Sequence, residues 1–333
     1  MILVTGCAGF IGYHLANQLL GLGEHIIGID NINDYYDPRQ KLAKLDLLKQ
    51  HEHFAFEKID ITDKPALIDL FSKHQFDQVI HLAAQAGVRY SIDHPDVYVA
   101  SNLIGFTNIL ECCRHHKVGH LVFASTSSAY GANTKQPYNE AQNTDHPMSF
   151  YAATKRANEL MAHSYASLYN LPCTGLRFFT VYGPWARPDM ALFKFTKKIL
   201  AGESIDVYNH GKMQRDFTYI DDIVQGIIAV TKHPAQSNQQ WDSDQPDPGS
   251  SYAPYKLYNI GNSKPTSLMN YIAAIENATG KKAICNMLPM QPGDVPSTYA
   301  DTTRLETELA YQAQTSVKEG VRKFVEWYLS SLD

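Results

Sequence analysis

The chain has 333 residues, with 29 Lys plus Arg against 34 Asp plus Glu and a formal net charge of −5. Its length exceeds what one hydrophobic core usually organises, so two lobes are expected, and the acidic balance excludes an ordinary nucleic-acid binder. With 44% apolar residues, 19% charged residues and no apolar run near the ~18 residues of a membrane span, it reads as a globular, non-membrane protein.

The start, "MILVTGCAGFIG", lacks a basic leader and a cleavage pattern, so no signal peptide is expected. The five cysteines (Cys7, Cys112, Cys113, Cys173, Cys285) contain no C-x-x-C pair and fit buried thiols in a reduced, cytoplasmic compartment.

Short β-rich runs alternate with helical periods through the first half. Strands are predicted at Met1–Thr5, Ile26–Asp30, Phe54–Ile59, Gln78–Leu82 and His120–Ala124. Helices separate them, as at Ile11, Leu15 and Leu19, and one is expected across Pro95–Lys117. A long helix over Tyr151–Tyr169 precedes a buried strand at Cys173–Phe178, with Phe178-Phe179 expected in the core. This rhythm implies crossover units, hence an α/β Rossmann-type doubly wound parallel sheet. After Gly183-Pro184 the pattern becomes irregular. Strands are expected near Ile205–Tyr208 and Asp216–Tyr219, with a helix from about Asp221 to Thr231. Ser237–Ser251 reads as an exposed loop insertion, and Tyr258–Ile260, Ser267–Thr279 and Val317–Leu329 complete a smaller α/β lobe. The expected division is a dinucleotide-binding domain over 1–180, interleaved with later segments, and a substrate lobe over 181–333.

The first strand runs into Gly6-x-x-Gly9-x-x-Gly12, which opens a helix. Glycines there permit a tight turn and close approach to a pyrophosphate, while the helix N-terminus supplies N–H donors and a positive dipole end. Asp30 ends the second strand, where a carboxylate accepts from ribose hydroxyls and repels a 2′-phosphate, favouring NAD over NADP. Tyr151 and Lys155 lie four apart on the long helix, so phenol and ammonium can share one cleft. A neighbouring cation would lower the Tyr pKa and make the phenol a general base. No His/Cys/carboxylate set shows ligand spacing, so no metal is expected. His81 reads as a packed residue and Cys7 as packing within the glycine loop.

These residues, with "FASTSSAYG" after the fifth strand, resemble the extended short-chain dehydrogenase/reductase superfamily. Within it the likeness is to UDP-glucuronate 4-epimerases. It is carried by "DNINDYYD", "HLAAQAGVRYS", "SFYAATKRANE", "LRFFTVYGPWARPDMA", "RDFTYIDDI", "YNIGN" and "PMQPGDV", and runs from Met1 to about Asp301.

The resemblance implies NAD as cofactor, a UDP-sugar substrate and a catalytic triad of Thr126, Tyr151 and Lys155. Gly6, Gly9, Phe10, Ile11, Gly12, Asp30, Asn31, Asp60, Ile61, Leu82, Ala83, Ala84 and Asn102 would hold the dinucleotide, Asp60 meeting the adenine amino group. Arg215 would pair with the UDP pyrophosphate and Asp294 would accept from the uridine ribose. Gln85, Arg89, Ser127, Ser128, Thr180, Arg187 and Gln291 would complete the substrate site. Many related epimerases carry Asn at the place of Thr180 and a basic residue at that of Gln291.

The resemblance further implies that Ser127 and Ser128 stand where dehydratases and decarboxylases of the superfamily carry carboxylates, which disfavours elimination. Arg187, with Thr180 and the two serines, is the expected holder of a substrate carboxylate, and Arg89 is a second cation near the sugar. The alternative for Arg187 is a loop cap beside Asp189. A homodimer through the helices near Pro95–Lys117 and Tyr151–Tyr169 is also implied. Competing functions are another UDP-sugar 4-epimerase of the galactose or xylose type, a UDP-glucuronate decarboxylase, or a non-catalytic dinucleotide-binding regulator.

Overall fold

Runs of β-branched and aliphatic residues short enough to be buried on both faces build the central sheet. The computed structural model describes residues 1–291 and 293–331. Six strands form in chain order: β1 (Ile2–Thr5), β2 (Ile26–Ile29), β3 (Phe54–Glu57), β4 (Gln78–His81), β5 (His120–Thr126) and β6 (Cys173–Phe178). A seventh, Tyr255–Ile260, joins the far edge beside β6, giving the order Tyr255–Ile260, β6, β5, β4, β1, β2, β3. Every pairing is parallel, with β1 between β4 and β2: Ile2 faces Ile26 on β2 and Gln78 on β4.

β1 leads to β2 on one side, whereas β4 lies on the other. This reversal is the topological switch point, and a ligand crevice opens there beyond the carboxyl ends of the strands. Helices cover both faces. The first helix (Phe10–Gly21) packs against Ile220–Thr231 in one apolar cluster, while Lys64–Lys73, Phe106–His115 and the long helix (Phe150–Tyr169) cover the other. Ser149 caps the long helix by accepting from the Ala152 N–H, and Asn170 ends it in the left-handed region.

The second half builds a smaller layer from helices Ala191–Ala201, Leu268–Thr279 and Val317–Ser330, with a parallel strand pair, Ser204–Val207 and Ile284–Met287. A short strand β7 (Thr180–Tyr182) pairs in parallel with Phe217–Tyr219. Phe217 stacks on Tyr271 with ring centroids 3.9 Å apart. Since Ile220–Thr231 and Tyr255–Ile260 serve the central sheet, the chain crosses between lobes several times after residue 180.

Three expectations change. Pro95–Lys117 is not one α-helix: Pro95–Tyr98 and Phe106–His115 flank a π-helical turn, Val99–Gly105. The wider turn packs Gly105 against Ile61, where an added Cβ would come within 2.6 Å, and buries Asn102. Within the Ser237–Ser251 segment Gln239, Gln240 and residues 242–246 are exposed, but Ser250 and Ser251 are buried, and Asp247 pairs with Arg304 at 2.8 Å. Phe178 and Phe179 are buried as expected, yet they also line the crevice described next. Among the described residues, no helix is long and apolar enough to cross a membrane.

Candidate active site

The crevice at the switch point is a cavity of about 330 Å³. Its walls include Gly6, Gly9, Phe10, Ile11 and Gly12 from the first turn, Asp30 and Asn31 after β2, and Asp60 and Ile61 after β3. Leu82, Ala83, Ala84 and Gln85 follow β4, and Thr126, Tyr151, Lys155, Thr180 and Arg187 close the far end. Residues from eight separate stretches thus meet because parallel strands end side by side.

The glycine turn is sterically obligatory. Gly6 sits at φ +72°, and a Cβ there would approach the Ala83 amide nitrogen within 2.8 Å; one at Gly12 would overlap the Gly6 carbonyl oxygen. The first helix has no side-chain cap, so its opening N–H groups face the cradle. That combination suits a dinucleotide pyrophosphate. Gly12→Ala is expected to cost about 1–3 kcal/mol of stability by overpacking and to abolish dinucleotide retention. Thermal melting and the nicotinamide fluorescence of protein incubated with NADH would check both.

Asp30 is 7% exposed; its Oδ1 accepts from the Ile32 N–H at 2.9 Å and lies 3.5 Å from Lys41 Nζ. Lys41, with Asn33, Tyr35 and Tyr36, lines the same wall and was not anticipated, although it follows the quoted "DNINDYYD" closely. Lys44, fully buried one turn further on, has an unpartnered Nζ, and burial pulls its pKa down to about 7. Two buried lysines on one helix defeat an amphipathic reading, which assigns lysine to the wet face. Asp60 accepts from Asn31 Nδ2 and from the Thr62 N–H and hydroxyl, and these donors hold its carboxyl below the usual range despite burial. Asn102 does not reach the cavity. Its side chain accepts from the Gln85 N–H and donates to the Gln85 carbonyl and the Thr154 hydroxyl, tying the loop after β4 to the long helix. Ser101, its neighbour in the π-helical turn, takes the lining position.

At the reacting end, β5 delivers Thr126 and the long helix delivers Tyr151 and Lys155. The Thr126 hydroxyl lies beside the Tyr151 phenol, where it favours the ionised form, and it accepts from the Ser128 N–H. The expected lowering of the Tyr151 pKa draws on the positive nicotinamide as well as on Lys155, and in the chain alone the shift has the other sign. Burial raises the pKa, while the Thr126 hydroxyl and the Arg187 charge pull the other way. Lys155 is 2% exposed, and burial lowers its pKa to about 8, opposed by Glu159. Desolvation therefore outweighs the intrahelical spacing from which the shift was argued. His81 is packed, with Nδ1 2.9 Å from the Thr5 hydroxyl and a pKa lowered to about 3 by burial.

Arg187 reaches the cavity from the loop after β7, and its fork is bidentate to Asp189 at 2.9 and 3.0 Å. The loop-cap contact thus exists, through Nε and Nη2. A second cavity, of about 170 Å³, shares Thr180 and is lined by Ser127, Ser128, Arg215 and Asp294. Arg89 is not beside Arg187: it pairs with Asp294 at 3.1 Å and lies over the Tyr208 ring, because the segment after the "AGVR" turn points toward this second cavity. Gln291 lines neither cavity; its carbonyl accepts from the Asp294 N–H and its buried Oε1 has no partner. Among the described residues, no group of three or more His, Cys, Asp or Glu could hold a metal ion.

The doubly wound sheet, the glycine cradle and a Thr–Tyr–Lys constellation at one mouth define a dinucleotide-dependent enzyme of the short-chain dehydrogenase type. Residues 2–261 match the NAD dependent epimerase/dehydratase family, and the chain belongs to that family. It is 56% identical to Protein CapI of Staphylococcus aureus, over 98% of both chains. It is 47% identical to a probable UDP-glucuronate 4-epimerase of Rhizobium meliloti, over 98% of this chain and 96% of that one. Its structure is similar to the crystal structure of UDP-glucuronic acid 4-epimerase from Bacillus cereus in complex with UDP-glucuronic acid and NAD. There the TM-score is 0.88 and the identity 33%, over 100% of this chain and 99% of the other.

Proposed function

We propose that this chain is an NAD-dependent UDP-glucuronate 4-epimerase, interconverting UDP-glucuronate and UDP-galacturonate through a transient 4-keto sugar. The observation that carries the reading is the meeting of Thr126, Tyr151, Lys155, Thr180 and Arg187 in one cavity that also contains the glycine cradle. Relatives bearing this activity in their names align over nearly the whole chain.

Bound NAD supplies a reversible acceptor for the hydrogen at sugar C4. The chain's residues do the rest. Tyr151 removes the O4 proton and returns it to O4 once the keto sugar has turned to present its other face for reduction at C4; Thr126 holds O4. Lys155 holds the nicotinamide ribose, and its positive charge favours the phenolate. Gly6, Gly9 and Gly12 hold the pyrophosphate, while Asp30, Asn31, Asp60 and Ile61 surround the adenosine.

The second cavity takes the UDP portion: Arg215 faces the diphosphate, and Asp294, paired with Arg89, accepts from the uridine ribose. A 4-keto uronate is a β-keto acid and loses CO₂ fastest when C5–C6 stands perpendicular to the carbonyl plane. Arg187, Thr180, Ser127 and Ser128 hold the carboxylate away from that alignment. The guanidinium edge not engaged by Asp189 is a fork donor suited to a planar anion. Neither serine can act as a carboxylate acid or base, which favours epimerisation over elimination.

A homodimer is part of this reading. It is supported by the exposed apolar side chains Ile104, Leu160 and Leu168, the first on the π-helical turn and the others on the long helix. A cytoplasmic setting accords with five free cysteines, four of them buried, and the product would feed polysaccharide assembly.

Purified protein incubated with UDP-glucuronate and no added cofactor tests the activity. UDP-galacturonate is the expected product, because a cofactor that ends each cycle unchanged is retained. A UDP-pentose would mean decarboxylation, and no reaction, even with NAD added, would favour a non-catalytic module.

A further inference from the structure

Directly behind the reacting groups lies a buried ionic cluster that the chemistry above does not use. Glu159 sits one helical turn after Lys155 on the long helix and is fully buried. Its carboxylate accepts from the Ser125 hydroxyl at 2.6 Å, from Arg177 Nε and Nη2 at 2.8 Å each, and from Arg156 Nη1 at 3.0 Å. Ser125 immediately precedes Thr126 and lines the cavity. Arg177, on β6, is also fully buried and lies 4.8 Å from the Tyr130 ring centroid. A fully buried ion pair is poor value as a stabiliser, because desolvation of both ions offsets much of their attraction. Its position next to Lys155 gives it another use.

The structure assigns Glu159 a positioning role: it is the buried counter-charge that keeps Lys155 an ammonium at the reacting end of the cavity. Lys155 has little water to stabilise its charge. Glu159 lies one turn along the same helix, and His81 at the end of β4 feels the Lys155 charge. Arg177 on β6 and Arg156 are directed at Glu159. His81 is held neutral by burial and offers no negative charge. Tyr151 is a phenol whose proton burial retains. Glu159 is thus the carboxylate acting on Lys155, and its attraction opposes the burial that pulls the ammonium toward neutrality. Arg177 and Arg156 in turn keep Glu159 ionised: its carboxyl lies below the usual range although it is buried. The chain of influence runs from Arg177 through Glu159 to Lys155, and so to the phenol that Lys155 assists.

This inference rests on the proposed activity only for its readout. Glu159→Gln should move the alkaline limb of the kcat profile for UDP-glucuronate to lower pH, because Lys155 then loses its proton sooner. A fall of one pKa unit corresponds to about fivefold less turnover at pH 8 and about tenfold less above pH 9, converging with the unaltered protein near pH 6, where Lys155 is charged in both. KM should change much less than kcat.

Glu159→Gln strands Arg177 without its partner, a strongly destabilising change, so Glu159→Met/Arg177→Met removes the pair together, a replacement buried pairs commonly tolerate. The double variant should fold and show the same acidward limb, whereas Glu159→Asp, which keeps the charge, should restore the profile. A double variant whose profile superimposes on that of the unaltered protein would overturn the assignment. So would its failure to fold, which would make the pair a structural element. If the unaltered protein turns over no UDP-glucuronate, the activity reading fails alone. The pH dependence of NADH fluorescence in the same variants would still report the charge of Lys155.

Discussion

Tyr151→Phe is expected to lower interconversion of the two uronates by about 10²–10⁴-fold, the range for removal of a positioned general base. The fold and the retained dinucleotide should persist, since the ring stays in contact with its surroundings, including Tyr98 at 6.1 Å between centroids, and only the hydroxyl is lost. Product separation after incubation with UDP-glucuronate measures the loss. The pH dependence has a definite sign. Burial raises the Tyr151 pKa above its ordinary value, so in the unaltered protein turnover should climb with pH as the phenolate is populated, until Lys155 loses its proton. Folding stability moves differently for the two groups. Lys155 is lowered to about 8 in the fold from 10.5, so burying its charge destabilises the protein fully below pH 8. That cost is relieved as pH rises through 8 toward 10.5, where the unfolded chain still binds the proton and the native state does not. Tyr151 acts oppositely, its contribution being present below 10 and lost as pH rises through its elevated native value. Full-speed interconversion by Tyr151→Phe would end the proposed mechanism.

Arg187→Ala should separate charge recognition from chemistry. Truncating one partner of a buried, hydrogen-bonded charge pair costs about 2–5 kcal/mol, or about 30-fold to 5,000-fold in kcat/KM for UDP-glucuronate. Bound NAD should remain, because the glycine cradle is formed by the first turn and does not depend on the Arg187 side chain. A neutral UDP-sugar should lose far less activity. Its remaining loss would come from the phenol, since the Arg187 charge also favours ionisation of Tyr151. The substitution leaves Asp189 without its bidentate partner, so an increase in decarboxylated product would accompany any residual turnover. Unchanged UDP-glucuronate turnover would remove the carboxylate-holding role.

The buried lysines show where sequence reading stops. Tyr151 and Lys155 were legible because helix geometry alone puts positions four apart on one face. Gly6 and Gly12 were legible because a strand–turn–helix with a close backbone approach admits little else. Lys41 and Glu159 were not, because their charges are tolerated only through partners on other elements of the fold: Asp30 for the lysine, and Ser125 and Arg177 for the glutamate. Lys44, buried with an unpartnered Nζ, was no more legible. The pairing of Arg89 was hidden for the same reason. Its partner, Asp294, is 205 residues away, and no local pattern connects them. Asn102 was identified as important but given the wrong contact, since a π-helical turn shifts which residue of that segment faces the cavity.

Local physics settled the alternation of strands and helices, the parallel sheet, the glycine cradle and the Tyr–Lys pair, since each depends on spacing within about twenty residues. Tertiary structure decided which charges meet across the fold: Arg89 with Asp294 over the second cavity, and Glu159 with Arg177 behind Lys155. It also decided the sign of the Tyr151 shift. Proton affinity depends on how much water the fold removes from around a group, and that quantity is a property of packing rather than of sequence separation.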